Sequence, residues 1–136
     1  MAKNFKFLEH TADVKFLAWG KTLEEAFTSC AAAISKILCK EKIKMKKIYA
    51  IKSYGQDNES LLYNFLEEIL YLFDTENFIL AKVKEIKIKD NKLTAKVIGD
   101  NVEKYEIKCY IKSPTYNDML VKKEKDKWVI QAVVDV

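Results

Sequence analysis

The chain has 136 residues, of which 49% are hydrophobic and 32% charged. This length and composition fit one globular domain and exclude an intrinsically disordered chain. The 24 basic residues exceed the 20 acidic ones by four, and every basic residue is a lysine. The planar guanidinium group of arginine binds phosphate or guanine through two parallel hydrogen bonds, which lysine cannot form. The absence of arginine therefore argues against a protein that recognises nucleic-acid sequence through the edges of the bases. We attribute the lysine richness to a biased genome or to a thermophile-like surface.

The cysteines predict no metal site and no disulfide framework. Cys30, Cys39 and Cys109 form no C-x-x-C pair, and one histidine completes no zinc-binding pattern. Without a secretory signal, this pattern indicates reduced thiols that serve as small core residues, with Cys109 in a strand. No apolar run approaches the roughly 18 residues of a membrane span. We therefore expect a cytoplasmic protein with no membrane contact.

The first half of the chain predicts two strands and a helix. Alternating residues give strands at Phe5–Leu8 and 14–19. Thr22 and Glu25 then form a T-x-x-E capping box before an apolar helical face. Residues 41–52 interleave isoleucines with lysines. We interpret them as a loop and a strand at a sheet edge, where lysine discourages wrong pairing.

The second half predicts one long helix followed by strands. The helix covers residues 59–74, with Asp57 or Asn58 as its N-cap. The predicted strands are 78–89, 93–98, 105–112, 119–123 and 128–134. In total the sequence predicts an α+β fold, a single domain in which a mostly antiparallel sheet of about seven or eight strands packs with two main helices. The last strand is expected to be docked, because an undocked terminus would fray.

Two carboxylates are candidates for metal binding. Asp13 and Asp135 each lie at the edge of an apolar strand, where an unpaired charge is costly to bury. Asp135 is followed by the terminal carboxylate of Val136, and two adjacent anionic groups repel unless a cation joins them. A hard divalent cation with oxygen ligands, Ca²⁺ or Mg²⁺, would do so. Simple solvent exposure is the competing interpretation.

Four blocks of sequence resemble the archease family. They are EHTADV at 9–14, AWGKTLEEAF at 18–27, ESLLYNFLEEILYLFDTE at 59–76, and the pair TYND at 115–118 and VVDV at 133–136. The blocks occur in the family's order, and the similarity runs from about residue 5 to 136. The chain is thus identified as an archease-like single domain over residues 1–136.

This resemblance implies an accessory function. Archeases assist the RtcB-type tRNA-splicing ligase, which joins RNA ends using GTP and divalent metal; they promote its guanylylation and multiple turnover and are not themselves the ligase. The expected partner is that ligase, with RNA reached indirectly through it. The family's metal site falls on Asp13, Asp135 and Val136 of this chain, and a shell of oxygen ligands favours Ca²⁺, with Mg²⁺ or Mn²⁺ as alternatives. The chain departs from the family at Asn117, where a histidine is usual, so Asn117 is left out of the site.

Two other functions remain open at this stage. The first is a stand-alone RNA-binding or chaperone-like module for RNA-processing proteins, using the lysines of 42–52 with Tyr49 and Tyr54 as stacking surfaces. The second is a small metal-dependent hydrolase that uses Asp13 and Asp135, with His10 as a candidate general base.

Overall fold

The computed structural model describes residues 4–9 and 13–136 of the chain. Within them, seven strands and two α-helices confirm the predicted α+β class. In chain order they are β1 (Phe5–Leu8), β2 (Val14–Gly20), α1 (Leu23–Leu38), β3 (Lys47–Tyr54), α2 (Asn58–Glu76), β4 (Phe78–Lys89), β5 (Lys92–Asn101), β6 (Ser113–Glu124) and β7 (Lys127–Asp135). A short 3-10 turn, Val102–Lys104, follows β5.

The strands form two antiparallel sheets instead of one. The four-stranded sheet has the order β1-β2-β7-β6, and the three-stranded sheet has the order β3-β5-β4. β7 lies between β2 and β6, which confirms that the last strand is docked. β3 lies at the edge of its sheet, as its lysines predicted, although it begins only at Lys47.

The two helices join the sheets into one core. α1 packs on β2 and β4, and α2 packs on β3 and β6, so each helix contacts both sheets. The rings of Phe27 and Phe65 stack between the helices with centroids 5.8 Å apart. Cys30 and Cys39 are buried, as predicted, and burial raises the pKa of the Cys30 thiol far above its ordinary value. Cys109 is half-buried against the core but lies outside any strand.

Both helices begin at the predicted side chains. The hydroxyl of Thr22 accepts a hydrogen bond from the Glu25 amide at 3.1 Å. Asp57 caps α2, because its carboxylate accepts from the Ser60 amide at 2.8 Å. A side-chain oxygen at the N-cap satisfies an amide that has no partner within the helix, which fixes where the helix starts.

The predicted strand at 105–112 is wrong. The side chains of residues 105–112 alternate between more buried and exposed positions, as in a strand. The segment nevertheless pairs with no strand in the described part of the chain, and two of its amides donate to groups near the end of α1. The Lys108 amide donates to the Leu38 carbonyl at 2.8 Å, and the Glu106 amide donates to the Glu41 carboxylate at 2.8 Å. The segment is an extended loop that packs over the C-terminal end of α1.

Among residues 4–9 and 13–136, neither helix combines the length and the hydrophobicity that a membrane-spanning helix needs.

Candidate functional site

The register between β2 and β7 sets the positions of the predicted metal ligands. Val14 pairs with Val134 in an antiparallel ladder. Asp13 lies in a bend directly before Val14, and Asp135 directly follows Val134, so the two aspartates lie at the same end of the β2–β7 ladder. Two carboxylates that are distant in the sequence therefore lie at one end of the four-stranded sheet, and both residues are half-buried.

The Asp135 carboxylate lies on the face of the sheet that turns away from the helices. Ile130, Ala132 and Val134 enter the hydrophobic core. Because side chains alternate along a strand, Val133 and Asp135 point to the opposite face. On that face Ser113 of β6 pairs with Asp135. The Ser113 hydroxyl and the Asp135 carboxylate thus belong to one row across β6 and β7.

The main chain around Asp135 is already partly engaged. Its carbonyl oxygen accepts a hydrogen bond from the Lys112 amide at 2.7 Å. That bond holds the end of β7 against the start of β6, while the side-chain carboxylate of Asp135 makes no ion pair among the described residues. Asp135 thus combines a fixed backbone with an available carboxylate.

The donor set at this end of the sheet fits a hard cation in chemical type. Two carboxylates and the main-chain oxygen of Val136 are the oxygen donors that Ca²⁺ and Mg²⁺ prefer. Within residues 4–9 and 13–136, no group of three or more His, Cys, Asp or Glu side chains is placed to hold a metal ion. A site here would therefore need main-chain and water oxygens beside the two carboxylates. His10 lies outside the described residues, so its predicted role stays a prediction.

A lysine lies beside the aspartate pair. Lys15 pairs with Val133 and so shares the outward face with Asp135. Its ammonium nitrogen is 3.6 Å from a carboxylate oxygen of Asp118. No local sequence pattern predicts this ion pair, since Lys15 and Asp118 are far apart in the chain.

Asp118 belongs to an irregular segment of β6 that also holds Asn117. Between Thr115 and Leu120 the pairing with β7 shifts, and Asp118 has a left-handed φ of 55°. The Thr115 hydroxyl donates to the Val133 carbonyl at 3.1 Å and accepts from the Asn117 amide at 3.3 Å. The Asn117 backbone is thus held by the Thr115 hydroxyl, and the Asn117 side chain is exposed.

Comparisons with known proteins agree with this architecture. The archease protein family model matches residues 5–136. The archease of Pyrococcus abyssi is 39% identical over 142 residues, covering 98% of this chain and 99% of that protein. The archease of Sulfolobus acidocaldarius is 35% identical over 136 residues, with 97% and 98% covered. The chain belongs to the archease family.

Solved structures support the same fold. The solution structure of Methanobacterium thermoautotrophicum protein 1598 superposes with a TM-score of 0.81 at 27% identity, covering 99% of this chain and all of that one. A crystal structure from Thermotoga maritima, described as an archease and possible chaperone, has a TM-score of 0.64 at 19% identity and 96% coverage of both chains. At that identity the second structure supports the archease fold alone.

Proposed function

We propose that this chain activates an RtcB-type tRNA-splicing ligase, promoting its guanylylation and its repeated turnover. Family membership over nearly the whole chain supports an accessory role. The observation that supports the proposal further is the β2–β7 register, which pairs Val14 with Val134 and so brings Asp13 and Asp135 to the same end of the sheet.

The proposed site uses three oxygen donors. Asp13 and Asp135 would hold a divalent cation through their carboxylates, and Val136 would hold it through its main-chain oxygen. A bound cation supplies positive charge that phosphate oxygens of GTP can share. The chain's own contribution would be to position the two carboxylates, since Val14 and Val134 beside them are paired and the Lys112 amide holds the Asp135 carbonyl.

The proposal is tested by ligase guanylylation. The ligase of the same organism is incubated with labelled GTP, RNA ends and either the natural chain or one variant. Asp13→Asn and Asp135→Asn remove one carboxylate charge each while keeping the side-chain shape. Asp126→Asn, in the exposed β6–β7 turn, is the matched control. We expect the control to retain multiple turnover and each site variant to lose at least about tenfold.

Full activation by folded Asp13→Asn and Asp135→Asn variants would overturn the site assignment. Absence of any activation by the natural chain would overturn the ligase proposal itself. Calorimetric titration of the chain with Ca²⁺, Mg²⁺ and Mn²⁺ ranks its affinities for these cations independently of the ligase assay. Incubating the chain alone with GTP tests the hydrolase alternative, because an activator leaves GTP intact when the ligase is absent.

A further inference from the structure

The outward face of the three-stranded sheet carries an unusual excess of lysine. The ladders β3–β5 and β5–β4 assign each residue to a face. Tyr49, Ile51, Leu93 and Val97 alternate toward the core. The lysines on the opposite face are Lys52, Lys82, Lys87, Lys89, Lys92 and Lys96, all exposed. The same face carries one carboxylate, Glu85, which lies 3.7 Å from Lys96. We call this surface the lysine face.

Neither composition nor edge protection explains the lysine face. The chain has 20 acidic residues to mix with its 24 lysines, so a generic solvated face would carry both signs. Lysine on edge strands prevents wrong pairing. That reason fits β3 and β4, but Lys92 and Lys96 lie on β5, the central strand. Lys92 also pairs directly with Lys89, an arrangement that destabilises a sheet.

Four of the lysines surround one small polar residue. Thr94 pairs with Lys52 on one side and with Lys87 on the other. The next row on the same face, about 7 Å along the strands, contains Lys92 and Lys89. Tyr54 ends that row, and 61% of it is exposed. An aromatic ring therefore borders a cluster of four ammonium groups.

The opposite side of this sheet faces an acidic helix. α2 packs on β3 and β4, and its sequence contains five acidic residues and no lysine. Charge is thus segregated across the thickness of the molecule. Such a distribution attracts a polyanion to the lysine face and repels it from α2.

We propose that the lysine face binds the phosphate backbone of single-stranded RNA directly, without reading its bases. Lysines act as point charges on phosphates, and the lack of arginine removes the bidentate grip on guanine that base readout commonly uses. Tyr54 offers a ring on which any base can stack. Tyr49, the other tyrosine suggested for stacking, is on the opposite face of the sheet, where it is half-buried and its ring packs edge-on against Phe78 with centroids 4.8 Å apart. This binding is independent of the ligase proposal.

The test measures the affinity of the isolated chain for a single-stranded RNA of about 12 nucleotides by fluorescence anisotropy over a salt series. Each phosphate neutralised on a single strand contributes about −0.7 to the slope of log affinity against log salt. Four lysine contacts predict a slope of about −3, or about 50-fold weaker binding when salt rises fourfold.

The variants separate this face from net charge alone. The triple variant K52Q/K89Q/K92Q should reduce the slope to about −1. The control K122Q/K123Q/K127Q removes the same charge from the β6–β7 hairpin and should leave the slope near −3. Tyr54→Ala should weaken binding about fivefold or more without changing the slope, since stacking is insensitive to salt. RNAs of different sequence should bind alike.

Four outcomes would overturn the proposal. They are no binding at low salt, equal losses in the test and control triples, polyglutamate binding as tightly as RNA with no effect of Tyr54→Ala, and low-salt self-association that the test triple abolishes. The third would indicate an acidic protein partner, and the fourth would indicate contact between this face and α2 of a second copy.

Discussion

The ring of Tyr63 on α2 stacks on the ring of Tyr116 in β6, with centroids 4.3 Å apart and planes inclined by 8°. The contact joins the helix to the irregular segment that also carries Asn117 and Asp118. A second link lies nearby, where the Val121 amide donates to the Glu59 carboxylate at 3.2 Å. The four-stranded sheet is thus fastened to α2 beside the candidate metal site.

We predict that this stacked pair contributes about 1 kcal/mol beyond its buried area. Tyr63→Ala and Tyr116→Ala, alone and combined, form a double-mutant cycle measured by urea unfolding. Tyr71→Ala is the control, because Tyr71 is exposed on the same helix. Additive effects of the two stack variants would show that the rings do not interact energetically.

A second prediction concerns Asp100, which is fully buried. Its carboxylate accepts from the Tyr105 hydroxyl at 2.7 Å, and that bond is the main reason why the pKa of Asp100 lies below its ordinary value. Burial opposes this decrease, while the Asn101 amide and Lys104 add to it. The Tyr105 hydroxyl in turn accepts from the Lys44 amide at 2.9 Å, which ties the 39–46 loop to β5.

Because the folded-state pKa of Asp100 is depressed, its stabilising effect is complete above the unfolded value of about 4 and is lost as pH falls through the folded value. Tyr105→Phe removes the main cause. We expect it to lower the Tm at pH 7 by roughly 5 °C or more and to flatten the fall in stability below pH 4. Tyr110→Phe, at an exposed tyrosine, should change neither quantity. Parallel acid profiles of the Tyr105→Phe and natural chains would contradict the assignment.

A third prediction concerns Gly99, where β4 and β5 approach closely. A Cβ at this position would collide with the carbonyl oxygen of Ile79, and the Gly99 carbonyl accepts from the Lys46 amide at 2.7 Å. Gly99→Ala should therefore destabilise the fold by about 2 kcal/mol or more, because the collision is with backbone. Thr94→Ala, exposed on the same strand, should stay within about 0.5 kcal/mol. Urea denaturation distinguishes them, and equal midpoints would refute the close approach.

A fourth prediction uses the lysine beside the aspartate pair. Lys15 lies two residues after Asp13 in the chain, and its charge opposes a cation held between the carboxylates. Lys15→Gln should tighten Ca²⁺ binding about threefold at low ionic strength, with the gain shrinking as salt screens the charges. Lys21→Gln, exposed beyond the other end of β2, is the control. Calorimetry that shows weaker Ca²⁺ binding by Lys15→Gln would contradict a cation site here.

The elements that were predicted well have local causes. The apolar periodicity of α1 and α2 and the caps at Thr22 and Asp57 depend on residues within one or two turns, so the sequence displays them directly. The failure at 105–112 has an equally clear cause. Alternation of apolar and polar residues shows only which side chains face the core. The extended loop over the end of α1 alternates in the same way as a strand. Only the long-range bond from Lys108 to Leu38 distinguishes the two.

The candidate site shows the same division. The charge and position of Asp13 and Asp135 beside apolar strands were readable from the sequence. Their alignment depends on a register between strands far apart in the chain, and no local pattern fixes such a register. The lysine face could not be predicted from the sequence for a similar reason. Its lysines come from three strands, and only the pairing of β3, β5 and β4 brings them onto one surface.

The two sheets also differ in how far apart their strands lie in sequence. The three-stranded sheet uses residues from 47 to 101, and a two-residue turn joins its β4–β5 hairpin. The four-stranded sheet pairs Val14 with Val134, and all strands of the three-stranded sheet lie between these two residues in the sequence. Chain closure over such a distance is entropically slower than forming a hairpin. During synthesis on the ribosome, every residue of the lysine face therefore emerges before Asp135, the last residue of β7.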